Sequence, residues 1–371
     1  MIKKVVWLAI ILSLVLTVVC PAGIQVAAQG PGQITVSNST AQMSFPLTLN
    51  FSAMAKSNIN ITDIRLRYQV EQASFAQVTS EVFIPVNPSS TVNVKYGLDM
   101  KKVGGLPPGT YVDYWWVAKD ASGSRLETSP VQYQITDNRY KWQNISQGKI
   151  NLYWYQGDNS FAQSLMSAAQ QALVKLASNT GATPSKTVNL YIYASAQDLQ
   201  GALIYPNEWT GGVAFVQYNN VAIGISPSNL AWGQTTVTHE LTHIVIFQVT
   251  FNPFSGLPVW FNEGLAMYNQ GALDSQFTAP LNQAINSNSL ISVRSISSPF
   301  SANSAKANLS YAEAYALIDY LLKQYGPTKM QALLDNFKQG NTYDGAFKAV
   351  YGFNLDGLNS QWMTWIKTQK Y

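Results

Sequence analysis

Partway along this chain the spacing of the apolar residues changes, and that change limits what each part can fold into. From residue 34 to about 136, apolar and polar residues alternate. Met43, Phe45, Leu47, Leu49 and Phe51 form one run. Ile64, Leu66, Tyr68 and Val70 form another, and Val92, Val94, Tyr96, Leu98 and then Val131, Tyr133, Ile135 continue the pattern. Successive strand residues face opposite sides, so this spacing predicts half-buried strands with one face in a core. Turn-forming clusters punctuate the runs, at Pro88-Ser89-Ser90, 104–109 and Asp120-Ala121-Ser122-Gly123. About seven short strands in about 100 residues predict an all-β sandwich over 29–137.

Residues 138–148 are polar and read as a linker. From 149 onward the period lengthens. Phe161, Leu165, Ala169, Ala172, Leu173 and Leu176 recur at helical spacing, between predicted strands at 149–155 and 188–193. Short apolar runs at 213–218 and 221–225 flank Asn219-Asn220 as a hairpin or adjacent strands. Helices are predicted at 230–249, 311–325, 329–337 and 355–367. Strands followed by helices predict an α+β domain over 149–371, so the chain is read as multidomain.

Charged residues are only 11% of the 371, against about 25% in ordinary proteins. Lys and Arg are scattered, with no basic run, which argues against a nucleic-acid partner. At the start, Lys3 and Lys4 precede an apolar run at 5–19, and Val26-Ala27-Ala28 supplies small residues for cleavage. This predicts a signal peptide at 1–28 and a secreted or extracellular protein. The apolar run is short for a membrane span, which needs roughly 20 residues. A lipid anchor at Cys20 would want a small residue before it, and Val19 is poorly suited. Membrane or cell-surface attachment is therefore expected only if this segment is uncleaved or lipidated. Cleavage would lower the net charge from +4 to 21 − 19 = +2 and remove the one cysteine.

Only two histidines occur, and they stand four apart in His239-Glu240-Leu241-Thr242-His243. On a helix, positions i and i+4 share a face, so both imidazoles can reach one metal ion. Glu240 lies beside them, where it can act as a general base on a water. The surrounding TTVTHELTHIVIFQV contains no proline or glycine. A second helix is predicted in Leu257-Pro258-Val259-Trp260-Phe261-Asn262-Glu263-Gly264-Leu265-Ala266, with Pro258 suited to open it and Glu263 on its second turn. With no third histidine and no cysteine after cleavage, a three-histidine or thiolate site is excluded.

These segments resemble the zinc peptidases of the HExxH…E type, whose third ligand is a glutamate on a following helix. Nineteen residues separate His243 from Glu263. WFNEGLA is similar to the WLNEGFA-type segment of large zinc aminopeptidases. From about 145 to 371 the pattern resembles the peptidase-MA-like zinc metallohydrolases, through LYWYQGD, PVWFNEGLA and YAEAYALIDYLLKQYG. The resemblance implies a zincin-type metallopeptidase domain with Zn²⁺ held by His239, His243 and Glu263. Glu240 would be general base and acid, and the substrate a peptide or protein. Related aminopeptidases stabilise the oxyanion with a tyrosine, which Tyr311 would supply here, with Tyr315 and Arg294 as weaker candidates.

Two departures from the family pattern stand out. Met267 occupies the place of an acid that supports a histidine in thermolysin-like enzymes, leaving Asn262, Asn269 or a backbone carbonyl for that role. The GAMEN-type exopeptidase segment is missing. Gly211-Gly212-Val213-Ala214-Phe215 stands nearest, so an endopeptidase is expected and this strand is read as pairing with an extended peptide. LPPGTYVDYWWVAKDASG resembles fibronectin type III and other immunoglobulin-like domains, and Trp115-Trp116 are read as core rather than a sugar platform. The alternative function is a cell-surface binding or adhesion protein with a structural or vestigial zinc site.

Overall fold

The computed structural model describes residues 33–206, 210–254 and 256–371. The expected signal peptide and Cys20 lie outside the described residues. The first sheet comprises β1 (Thr35–Ser44), β2 (Thr48–Val70), β3 (Ser80–Ile84), β4 (Ser89–Asp99), β5 (Tyr111–Asp120), β6 (Arg125–Glu127) and β7 (Val131–Gln134). All seven are hydrogen-bonded as one sheet, with β2 pairing β1 and β4 along its first half and β3 and β5 along its second. The rings of Phe51 and Tyr68, both on β2, are 6.4 Å apart. Along a straight strand, seventeen residues would separate them by about 56 Å. The strand therefore bends back on itself, and its pairing registers shift between Lys56 and Asp63.

The expected sandwich of separate sheets is thus one sheet folded around its own core by a continuous strand. Alternation cannot distinguish a strand that stops from one that bends. The same ambiguity hid the first turn: 43–51 reads as one run, but Met43 on β1 pairs Leu49 on β2. The turn between them holds Pro46 and leaves Leu47 exposed. Trp115 and Trp116 are both buried, their indole N–H groups donating to Glu127 and Ser39.

The second sheet is mixed, in the order β11-β12-β10-β9-β8. Its elements in chain order are β8 (Gln143–Gln147), β9 (Ile150–Trp154), α1 (Asn159–Thr180), β10 (Val188–Tyr193), α2 (Ala196–Gln200), β11 (Gly212–Phe215) and β12 (Asn220–Gly224). There follow α3 (Leu230–Thr250), α4 (Val259–Gln270), α5 (Ser275–Asn286), α6 (Ser304–Lys338), α7 (Tyr343–Tyr351) and α8 (Leu355–Ile366). The predicted helices at 311–325 and 329–337 are the two arms of α6, which kinks at Gly326-Pro327. In β10, Val188, Leu190 and Ile192 face the helices, while Tyr191 and Tyr193 face the other side. There they meet Tyr140, Trp142, Tyr153 and Tyr155 in an aromatic layer.

The stretch expected as a linker is packed. It contains β8, and its Tyr140 and Trp142 belong to that aromatic layer. Asp137, just before it, is buried and binds Arg139 and the Tyr193 hydroxyl. The predicted turn at 104–109 also docks on this sheet: the Asn220 amide donates to the Pro108 carbonyl. Gly109 (φ 90°) approaches so closely that a Cβ there would stand 2.7 Å from the Tyr191 hydroxyl. Its local sequence reads as solvent-facing punctuation, and only the neighbouring sheet makes it an interface.

Candidate metal centre

The helix α3 is rich in β-branched residues, which form isolated helices poorly. Burial compensates: Val237, Leu241, Ile244, Val245 and Ile246 sit in the core between sheet and helices. The hydroxyls of Thr235, Thr236, Thr238, Thr242 and Thr250 donate to carbonyls four residues back. The helix is therefore held by its neighbours rather than by intrinsic propensity. His239 and His243 share a face, with ring centroids 4.8 Å apart.

The helix α4 brings Glu263 to them. Pro258 precedes its first turn, and its carbonyl accepts the N–H groups of Phe261 and Asn262. Gly264 seats the helix: a Cβ there would lie 2.4 Å from the Ala314 carbonyl oxygen on α6. Any larger residue would push α4, and Glu263 with it, off α6. At the other end, Lys175 of α1 donates to the Tyr268 and Asn269 carbonyls at 2.8 and 3.0 Å, a cation at a helix C-terminus.

One carboxylate oxygen, Glu263 Oε2, lies 3.4 Å from His239 Nε2 and 3.6 Å from His243 Nε2. The candidate donor atoms of all three residues fall within 4.8 Å of one another. Two tetrahedral zinc ligands at bonds of about 2.0–2.1 Å stand about 3.4 Å apart, so this spacing fits a metal ion. Both Nδ1 atoms are buried and make no hydrogen bond. Burial disfavours charge on His239, but Glu263 and Glu240 outweigh it and raise its proton affinity. Burial likewise works against charge on Glu263, and the two histidines outweigh it and lower its pKa.

Glu240, one residue beyond His239, faces β11. A Cβ on Gly212 would stand 2.8 Å from Glu240 Oε1 and 3.1 Å from Thr236 Cγ2. β11 is hydrogen-bonded to β12 on one side and forms the edge of its sheet on the other. Its glycine thus lets the edge backbone pass close to the carboxylate. Position 212 was legible as part of a strand, but its closeness to Glu240 depends on tertiary packing.

The two tyrosine candidates separate. The Tyr311 ring packs edge-on against Phe300 and Phe277, and burial, reinforced by the charges of Glu263 and Glu240, pushes its hydroxyl up to about 12. Tyr315 instead packs on Tyr268 and Tyr371, and after burial the charge it feels is that of Asp319. Arg294 is paired with Asp344 and Asp356 at the surface. Neither asparagine supports a histidine. Asn269 donates to the Ala172 carbonyl and Thr242 hydroxyl, and Asn262 lines a cavity beside His243 and Glu263. Met267 is buried.

The fold can be set beside solved structures. The M1 zinc metallopeptidase from Deinococcus radiodurans aligns with 86% of this chain and 89% of its own, at 12% identity and a TM-score of 0.38. Aminopeptidase A from Legionella pneumophila aligns over 85% and 47%, at 10% identity and a TM-score of 0.40. OgpA from Akkermansia muciniphila aligns over 32% of this chain, at 14% identity and a TM-score of 0.22, and the match spans 33% of OgpA's length. Among curated proteins nothing matches. Residues 168–368, more than half of the 371, match the model of the Peptidase MA superfamily, and the chain belongs to that superfamily.

Proposed function

We propose that this protein is an exported zinc-dependent endopeptidase. The observation that carries the reading is the convergence of His239, His243 and Glu263 on one point, with Glu240 facing an open strand edge. His239, His243 and Glu263 would hold the ion, and the Glu263 carboxylate offsets its charge. Zinc supplies Lewis acidity and brings the pKa of water to about 7. Glu240 takes the water's proton and returns it to the leaving amine. Tyr311 keeps its hydroxyl proton at neutral pH and donates a hydrogen bond to the oxyanion. β11 pairs with the backbone of an extended peptide, which directs its scissile bond past Glu240. The lack of a GAMEN-type acidic anchor for an amino terminus favours internal cleavage. Export rests on residues 1–28, and N-terminal sequencing of the processed protein tests it.

Glu240→Gln should retain one equivalent of zinc while kcat/KM on peptides falls about 10³-fold. Mass spectrometry of the products should show internal cuts with the unaltered protein only. Full activity in the variant would rule out this mechanism, and release of single terminal residues would rule out the endopeptidase assignment.

A further inference from the structure

A cavity of about 310 Å³ opens beside the trio, bounded by His243 and Glu263. Its walls are chiefly apolar: Val216, Phe247, Phe251, Leu257 and Val259. An apolar cavity of about 150 Å³ already accepts benzene, so there is room for a large side chain. Beyond the trio's own residues, no ionisable side chain lines it among the described residues. A charged guest would be desolvated there without a partner. Val216 directly follows β11, so a peptide paired along that edge is led to the cavity.

The N-terminal region touches this wall at Phe251. In the loop joining β2 to β3, Phe75 lies face to face on Phe251, with ring centroids 4.4 Å apart and planes 14° from parallel. Phe251 in turn meets Phe247 at 5.0 Å. The loop is fixed close by, where the Ala73 N–H donates to the Gln217 carbonyl at 2.7 Å, one residue from Val216. A ring serving only to fasten the two regions would be expected to be buried between them, yet Phe75 is 60% exposed.

We propose that this cavity receives a large apolar side chain of the peptide substrate, and that the N-terminal sheet region supplies its outer wall through Phe75. This rests on the peptidase reading above. It gives the N-terminal region a part in choosing the substrate, beyond supporting the fold.

The test uses the full zinc-loaded chain and a peptide series differing only in Phe, Ala or Lys beside the cleaved bond. Binding of the same fluorescently labelled peptides is read by anisotropy in Glu240→Gln, with and without Phe75→Ala. Phe should be preferred over Ala by about 10–200-fold in kcat/KM, and Lys should be the poorest. Phe75→Ala should cut the Phe-to-Ala ratio about 5–10-fold, within the range expected for loss of one aromatic contact. Turnover of the Ala peptide should fall less than that of the Phe peptide, and Phe75→Trp should restore the ratio.

An equal loss on all peptides would mean that Phe75 only fastens the two regions, and the proposal falls. An unchanged ratio or a preference for Lys also overturns it, while the peptidase reading stands. Selective binding of the Phe peptide, lost with Phe75→Ala, without any cleavage by the unaltered protein would keep the subsite and sink hydrolysis. No cleavage and no binding preference would sink both.

Discussion

The exposed ion-pair ladder of the first sheet and the buried carboxylates of the second region hold their charges in different ways. On the first sheet, Arg65, Arg67, Glu81 and Glu127 form a cross-strand ladder at the surface, with N···O distances of 2.6–2.9 Å. Each charge has a partner and remains accessible to water. In the second region, Glu263 is largely buried between two histidines, and Glu313 is fully buried with the Ile291 N–H as its hydrogen-bond donor. Ladders of exposed pairs cost little and contribute little, because water competes for both partners. A buried carboxylate without a cation is expensive. Such a group in a chain with so few charges therefore marks a place where structure or chemistry requires it. Glu263 fits the ligand spacing of the candidate metal centre. Glu313 is explained by the loop before α6, whose backbone it holds.

The largest expected effect tests Glu313. Burial raises its pKa to about 8, partly offset by the Ile291 N–H. Its folded pKa thus lies above the unfolded value of about 4.3, so the folded protein binds the extra proton between these limits. Its contribution is fully present below the unfolded pKa and is lost as pH rises through about 8. Chemical denaturation should show stability falling by up to about 4 kcal/mol between pH 5 and 9, with Glu313→Gln removing that part of the slope. An identical slope in the variant would show that this acid is not desolvated as its burial implies.

A smaller effect is expected at Asp137, an acid that is equally buried but fully paired. Asp137→Ala would leave the Tyr193 hydroxyl unpartnered and strip Arg139 of its carboxylate, leaving it the Gly201 carbonyl, and should cost about 3 kcal/mol in denaturant unfolding. The two buried acids should then behave oppositely, since neutralising one relieves a penalty and removing the other creates one. A neutral result at Asp137 would end that contrast. The smallest change is expected from Arg67→Ala in the exposed ladder, below about 1 kcal/mol and diminishing further in high salt. A loss of several kcal/mol there would contradict the view that the ladder is marginal.

Much of the candidate site was legible because its signals are local. The i, i+4 spacing of His239 and His243, Glu240 between them, and Pro258 ahead of Glu263 all follow from helix geometry, which depends on near neighbours. The alternating and helical rhythms likewise separated the two regions and located β10 and α3. Local pattern could not say that β2 bends and continues, because period two is the same on both sides of a bend. Nor could it show that 104–109 and 138–148 pack against the second sheet. Their polar, turn-forming sequences suit a surface as well as an interface. Tyr311 and Tyr315 lie four apart on one helix, and only the fold shows that Tyr315 packs on Tyr268 and Tyr371. Sequence by itself determined the two rhythms, the places of β10 and α3, and the candidate ligands. Tertiary structure decided which side chains meet, bringing Glu263 to both histidines, Gly212 to Glu240 and Phe75 to Phe251, because those approaches are set by packing between segments far apart in the chain.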